Sequence, residues 1–419
     1  MASIEKRGEN SYRITVCDGY KSNGTKNKKR KSVTLDPGLT PKQIEKELHR
    51  QATLFEEEVK RGTYLDAGKM TFKEFIERWL RDHAEKQLET KTLYRYKEII
   101  NTRIIPALGH IKLNKLQPNH LLEFYNNLQE DGIRKDGKPG GLSEKTIKQH
   151  HAIIHCTLEH AVLWQLITSN PADRVKPPKV PKKEAKHLTE DEASLLLEVL
   201  NTAPLKYQAL IYLDLVTGMR RGELIALKWN NINFDEGTLE VNQAVGYTPE
   251  SGQFLKDPKN ETSKRIIALP PSVIALLKKH KATQNKTKLK LGDAWQDENW
   301  LFTKWNGELI HVDTVSSWFP EFIRKYNLSI KNNIEIPHNE KDKYLIREVN
   351  FHALRHTAAT LLINQGLNVK AVSTRLGHSN TSTTLNIYAH SLRSADKKAA
   401  DMMEEIFTKK STSTATKKA

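Results

Sequence analysis

Four short stretches in the second half of this chain combine Arg, His and Tyr in patterns that could do chemistry together. In Thr217-Gly218-Met219-Arg220-Arg221-Gly222-Glu223-Leu224 an apolar helix stops at a glycine. Arg220 lies in the turn, and a new helix starts with Ile225, Ala226 and Leu227. A cation beside the free N–H groups of a helix start is well placed for an anion. His352 and Arg355 are three residues apart, so one helix face presents both. In Arg375-Leu376-Gly377-His378 the glycine ends a helix, and the His just past it can project into a cleft. Tyr388 follows ten residues later. Singly these are weak signals: with 16 His in the chain, a His-x-x-Arg match arises by chance, and most Tyr residues in helical stretches are half-buried core. Together they make one reaction. Phosphoryl transfer needs charge neutralised on non-bridging oxygens, a nucleophile, and a proton donor for the leaving oxygen. Two Arg supply bidentate forks, two His bind and shuttle protons, and a Tyr hydroxyl can store the bond as an ester. The sequence shows no carboxylate cluster or His/Cys set with metal-ligand spacing beside them, so we expect no metal and no cofactor, the arginines taking the usual metal's part.

These residues need a scaffold, and the chain reads as multidomain α+β. Residues 1–65 hold β-like runs at Tyr12–Asp18 and Lys31–Leu35 flanking Asn23-Gly24, a hairpin signal. A helix follows over Pro41–Lys60. Lys26, Lys28, Lys29, Arg30 and Lys31 enter the second strand and are expected to contact phosphates. Residues 68–174 read as an all-α bundle. Its helices start at Thr71, at Thr90 or Thr92, and at Pro118, with a stop at Ile104-Ile105-Pro106 and a long helix over Ser143–Leu166. That helix carries His150, His151, His155 and His160, expected to be solvated or DNA-facing rather than metal ligands. Residues 175–187 are a stiff Pro- and Lys-rich linker whose Lys179, Lys182 and Lys183 could track a phosphate backbone. A mixed, mainly helical domain spans 188–394, opening on a Thr189/Glu192 capping box, with strands at Thr238–Val245 and Lys264–Leu269. A helix and tail occupy 395–419, where Ala395, Ala399, Met402, Met403 and Ile406 form an apolar stripe, to pack on its own domain or on a neighbouring protomer. The last residues, from Lys409, are expected to be disordered.

Composition narrows the partner. Lys and Arg number 67 against 50 Asp and Glu, a net charge of +17. Nine of those cations, against three acids, fall in residues 1–35. Such a surplus calls for a polyanion, nucleic acid or membrane surface. No apolar run is long enough for a membrane span, and MASIEKRGEN has no signal-peptide core. Two cysteines, Cys17 and Cys156, exclude a disulfide framework and fit a reducing cytoplasm.

The ordered set Arg220, His352-x-x-Arg355, Leu376-Gly377-His378 and Tyr388 resembles the tyrosine recombinase (phage integrase) family, and TGMRRGEL, FHALRHTAATLL and LGHSNTSTTLNIYAH read as its motifs. The match covers roughly 188–392. The bundle resembles the family's SAM-like core-binding domain, and residues 1–65 its arm-type DNA-binding domain. The resemblance implies that Arg220 and Arg355 clamp the scissile phosphate and that His352 acts as acid, base or ligand. It further implies that His378 bonds a non-bridging oxygen, Glu223 buttresses Arg220, and Tyr388 forms a 3′-phosphotyrosyl bond. A hairpin lysine would protonate the 5′-oxygen. Lys259 in Pro258-Lys259-Asn260 fits best, although Asn260 departs from the usual Thr and Lys256 and Lys264 stay open. The implied protein is a site-specific recombinase, the integrase of a prophage or integrative conjugative element. It would act on double-stranded attachment sites as a homotetramer through a Holliday junction, in the nucleoid of the cytoplasm. An excisionase and a host DNA-bending protein are candidate partners. The rivals are an Xer-type chromosomal recombinase, a type IB topoisomerase and a non-catalytic DNA-binding protein.

Overall fold

The computed structural model describes residues 2–20, 23–60, 70–181, 185–257 and 264–377, together with residues 400, 403, 404 and 407. Contacts divide the chain into two compact units, Met1–Pro181 and Lys182–Ala419. The division falls inside the Pro- and Lys-rich stretch, where extended backbone makes few contacts.

In the first unit, β1 (Ser3–Lys6), β2 (Ser11–Tyr20) and β3 (Lys26–Thr34) form an antiparallel sheet in the order β1-β2-β3. β1 was not expected: Ser-Ile-Glu-Lys has one apolar residue and every position is exposed, so no pattern marks it. Ile14 and Val16, two apart on β2, bury against Ala52, Phe55 and Val59 of α1 (Pro41–Lys60). The same alternation splits the basic cluster. Val33 packs on this core, so Lys31 and Lys29 share its face, while Lys26, Lys28 and Arg30 point to the opposite one. Lys31 lies 5.7 Å from the Phe55 ring and 3.7 Å from Glu58.

The same unit holds a helical bundle with its own core. The helix α2 (Phe72–Trp79) starts at a Thr71/Glu74 capping box and runs through a π-turn, Leu80–Ala84, into α3 (Glu85–Gln87). Likewise α4 (Thr90–Ile99) passes through Ile100–Ile104 into α5 (Ile105–Leu108). The expected stop at Pro106 is absent: the helix runs on to Leu108, and the residue four before the proline, whose carbonyl its ring would meet, lies in the wider π-turn Ile100–Ile104. Then come α6 (Pro118–Asn127) and α7 (Glu144–Leu163), the latter capped by Ser143. Phe75, Trp79, Ile104, Leu121, Ile154 and Leu158 fill the interior. His150 corrects the expectation of solvated histidines. It lies three residues after Ile147 and four before Ile154, on the buried stripe, and its Nδ1 is 2.8 Å from the Thr146 carbonyl. His151 meets the Tyr125 hydroxyl at 3.0 Å, His155 meets Asp173 at 2.8 Å, and His160 packs on His83 with centroids 4.1 Å apart.

The second unit opens with α8 (Glu190–Val199), capped reciprocally by Thr189 and Glu192, then α9 (Leu205–Thr217) and the short α10 (Arg221–Ile225). Two small sheets follow. β4 (Ile232–Asn233), β5 (Thr238–Val241) and β8 (Arg265–Ala268) form one, and the hairpin β6 (Ala244–Thr248) with β7 (Gly252–Lys256) the other. The expected single strand Thr238–Val245 is therefore two, broken where the Gln243 amide turns to donate to the Ala226 carbonyl at 2.9 Å. Helices α11 (Pro271–Leu291), α12 (Val312–Asn332), α13 (Ala353–Asn364) and α14 (Val369–Leu376) complete the unit. The helix α9 is apolar nearly all round and packs on α13 and α11, the pattern of a central helix.

The N-terminal sheet rests on five buried apolar side chains, so it depends on the largest of them. Phe55→Ala should cost about 3–5 kcal/mol. By hydrogen exchange, amide protection in β2 and β3 should be lost while that of α7 is retained.

Candidate active site

The site is built around a turn that only glycine permits. Gly218 ends α9 with φ +60°, and a Cβ there would lie 2.4 Å from Leu376 Cδ2 and 3.3 Å from Ala358 Cβ. The turn, α13 and α14 thus meet at one point. Three of the four sequence features converge here, although more than 130 residues separate Gly218 from Arg355.

Arg220 caps α10. Its Nη1 donates to Glu223 Oε1 at 2.7 Å, its backbone N–H to Glu223 Oε2 at 3.1 Å, and its Nη2 to the Gly377 carbonyl at 2.7 Å. The neighbouring Arg221 is held elsewhere, by Asp313 at 2.8 Å and Ser316. Glu223 is buried, and Arg265 Nη2 donates to its Oε2 at 2.8 Å. Burial alone would raise the Glu223 carboxyl; the Arg265 charge and the hydrogen bonds from Arg265 and Arg220 outweigh it, and the net shift is downward. Arg355 is 3% exposed. Its Nη1 donates to the Gly218 carbonyl at 2.6 Å, and its Nη2 has no partner among the described residues. Burial, with the Arg220 charge, pulls this guanidinium down to about 9, so it stays charged at neutral pH. Asp214, one turn back on α9, is fully buried, which pushes its carboxyl well above the ordinary range against the pull of Arg355. Glu223 is therefore the carboxylate whose charge the site supports, and it faces Arg220, Arg265 and Arg355. A buried donor beside such a surplus is a place for an anion.

His352 sits at the start of α13, open to solvent, three residues before Arg355. Packing around the ring and the charges of Arg355, Arg220 and Arg221 hold it below its ordinary value, leaving a neutral imidazole able to accept a proton. His356 packs edge-on against it, centroids 4.9 Å apart.

Gly377 closes α14. His378, Tyr388 and Lys259 lie outside the described residues, as do Lys182 and Lys183; Lys179 is exposed, in the first unit. Lys256 ends β7 and Lys264 precedes β8, so the segment between them leaves all three lysines open as the hairpin donor. Sequence reasoning missed Arg265 and Asp214 as members of the site, because each enters by burial against a distant element. It also passed over His356, although the four-residue spacing from His352 puts both rings on one helix face.

Burial, then the His352 and Arg355 charges, pushes His356 down to about 4. In the unfolded chain it would take up a proton near its ordinary value, about 6.5. Its folded pKa is depressed, so the neutral ring contributes stability above about 6.5 that is lost as pH falls toward 4. Melting midpoints between pH 7 and pH 5 should fall more steeply for the wild type than for His356→Leu.

The model of the Phage integrase family matches residues 186–394, and that of the phage integrase N-terminal SAM-like domain matches residues 71–129. A relative from Caldanaerobacter subterraneus subsp. tengcongensis, named tyrosine recombinase XerC-like, is 26% identical over 96% of this chain and 98% of its own length. The ICEBs1 integrase of Bacillus subtilis is 25% identical over 77% of this chain and 80% of its own. Among solved structures, the integrase of the Tn1549 transposon in complex with transposon right end DNA superposes with a TM-score of 0.62 at 22% identity. It covers 79% of this chain and 100% of the solved one. The chain belongs to the phage integrase family of tyrosine recombinases, enzymes that transfer DNA strands.

Proposed function

We propose that this protein is the integrase of a mobile element, cutting and rejoining attachment-site DNA through Tyr388. The observation that carries this reading is the buried Arg355, whose Nη2 lacks a partner among the described residues, in a cluster with Arg220 around a single supported carboxylate. Two guanidinium forks would take the non-bridging oxygens of the scissile phosphate, with His378 donating to one of them. His352 would accept the phenol proton as the Tyr388 oxygen attacks phosphorus. The bond to the 5′-oxygen breaks, and that oxygen leaves with a proton from Lys259, or from Lys256 or Lys264. The 3′-phosphotyrosyl ester keeps the bond energy. A 5′-hydroxyl from a second duplex then attacks, releases Tyr388 and leaves a Holliday junction.

On this reading the chain has three working parts, an arm domain (1–65), a core-binding domain (68–174) and a catalytic domain (188–394), joined by the 175–187 linker. It works as a homotetramer on DNA in the nucleoid, with an excisionase and a DNA-bending protein as partners, and the 395–419 stripe docks between protomers. Truncation after Ser394 that left DNA-stimulated oligomerisation unchanged would remove that last element. Among the described residues no helix is long and apolar enough to cross a membrane. An Xer-type role is the second reading, favoured by the name of a relative that spans nearly the whole chain. Deleting the gene separates the two. Loss of the excised circular junction fits an integrase, and unresolved chromosome dimers fit the rival.

On a nicked attachment site that traps the intermediate, the wild type should give an SDS-resistant protein–DNA adduct and Tyr388→Phe none; an adduct with the Phe variant would reject the nucleophile. The arm contact would then fall on the sheet face opposite α1. Each phosphate contact contributes about 0.9 to the slope of log affinity against log salt. Lys28→Ala with Arg30→Ala should therefore lower that slope on arm-site DNA by about two.

A further inference from the structure

The proposed reaction uses Arg220, Arg355 and Glu223, but the most deeply enclosed cation touching Glu223 is a different one. The side chain of Arg265, the first residue of β8, is 6% exposed. Burying a guanidinium costs several kcal/mol unless it is paired and its donors are satisfied, so the directions of its bonds carry information. Nη2 donates to Glu223 Oε2 at 2.8 Å, and Nε donates to the Arg375 carbonyl at 2.8 Å. The same group fills the space against Gly377. A Cβ there would lie 2.7 Å from Arg265 Nη1, and Gly377 has φ +71°. Arg265 thus grips the carboxylate that aims Arg220 with one edge and the last turn of α14 with another.

The two grips meet again on the far side, since Arg220 Nη2 itself donates to the Gly377 carbonyl at 2.7 Å. The result is a closed loop of contacts through Arg220, Glu223, Arg265 and the 375–377 backbone. His378 is the next residue after Gly377, and Arg265 is two residues after the segment that carries Lys259. Displacing Arg265 would shift the supports of three reacting groups at once.

We propose that Arg265 is a positioning residue for strand cleavage, aiming Arg220 through Glu223 and setting the end of α14 from which His378 extends. The inference rests on the function proposed above. Lysine cannot replace it, because one ammonium cannot serve an Nε-type and an Nη-type direction together.

The test uses the full-length chain on nicked attachment-site DNA. It follows the rate of covalent adduct formation at saturating DNA, the DNA concentration for half-saturation, and the melting temperature. Arg265→Lys keeps a charge beside Glu223 and is the main variant; Arg265→Met is the second. Misplacement on the ångström scale costs about 100-fold in rate, and we expect a loss of that size at saturation for Arg265→Lys. Its half-saturation should stay within about threefold of wild type, since binding energy from phosphate contacts elsewhere is untouched. Arg265→Met should be at least as slow per folded molecule. A wild-type rate in Arg265→Lys would overturn the proposal. So would a loss confined to half-saturation, or one that merely tracks the unfolded fraction. If the wild type itself forms no adduct, the function proposed above fails and this inference falls with it. If the wild type forms it and the variants match, this inference alone fails.

Discussion

The candidate site depends on one buried carboxylate held between an enclosed guanidinium, Arg265, and a half-exposed one, Arg220. Glu223 accepts from Arg220 and Arg265 at 2.7 and 2.8 Å, and its side chain is 8% exposed. Removing Glu223 would leave the enclosed Arg265 charge uncompensated, typically costing about 3–5 kcal/mol. Through those bonds the start of α10, the start of β8 and the end of α14 become one object. The glycines at 218 and 377 follow from the same constraint, since both lie where backbone must come against a side chain with no room for a Cβ.

Positive charge has two uses in this protein. Lys26, Lys28 and Arg30 on the sheet face opposite α1, with Lys179 in the linker, are exposed. Their attraction to a polyanion would be salt-screened and blind to sequence. Arg220 and Arg355 are instead fixed by carbonyls and a carboxylate before any DNA arrives. Preorganised donors need no reorganisation when charge develops on a phosphate, which is where such groups have their largest effect.

Much of the organisation was legible in sequence because it is set locally. The Gly218 stop, the Thr189/Glu192 box and the α1 and α7 patterns all appear close to where the residues placed them. Arg220, Glu223, His352 and Arg355 were readable as a set through their motif words, and the structure brings them together. What escaped was non-local. Arg265 carries no motif of its own, and only burial against Glu223 and Arg375 distinguishes it. His150 looked solvated because a histidine is polar, yet it occupies the apolar stripe of α7. Lys31, expected among the phosphate contacts, lies on the Phe55 face of the sheet, 3.7 Å from Glu58, a placement that only the strand's period of two reveals. Pro106 read as a stop, yet the π-turn just before it lets the helix run on to Leu108.

The central claim is that the arginine cluster serves a tyrosine that joins itself to DNA. The direct measurement is mass spectrometry of the DNA-bearing peptide from the adduct trapped on nicked attachment-site DNA. The account predicts Tyr388 linked to a 3′-phosphate, with a free 5′-hydroxyl on the departing strand. A linkage to any other residue, or through a 5′-phosphate, would contradict it.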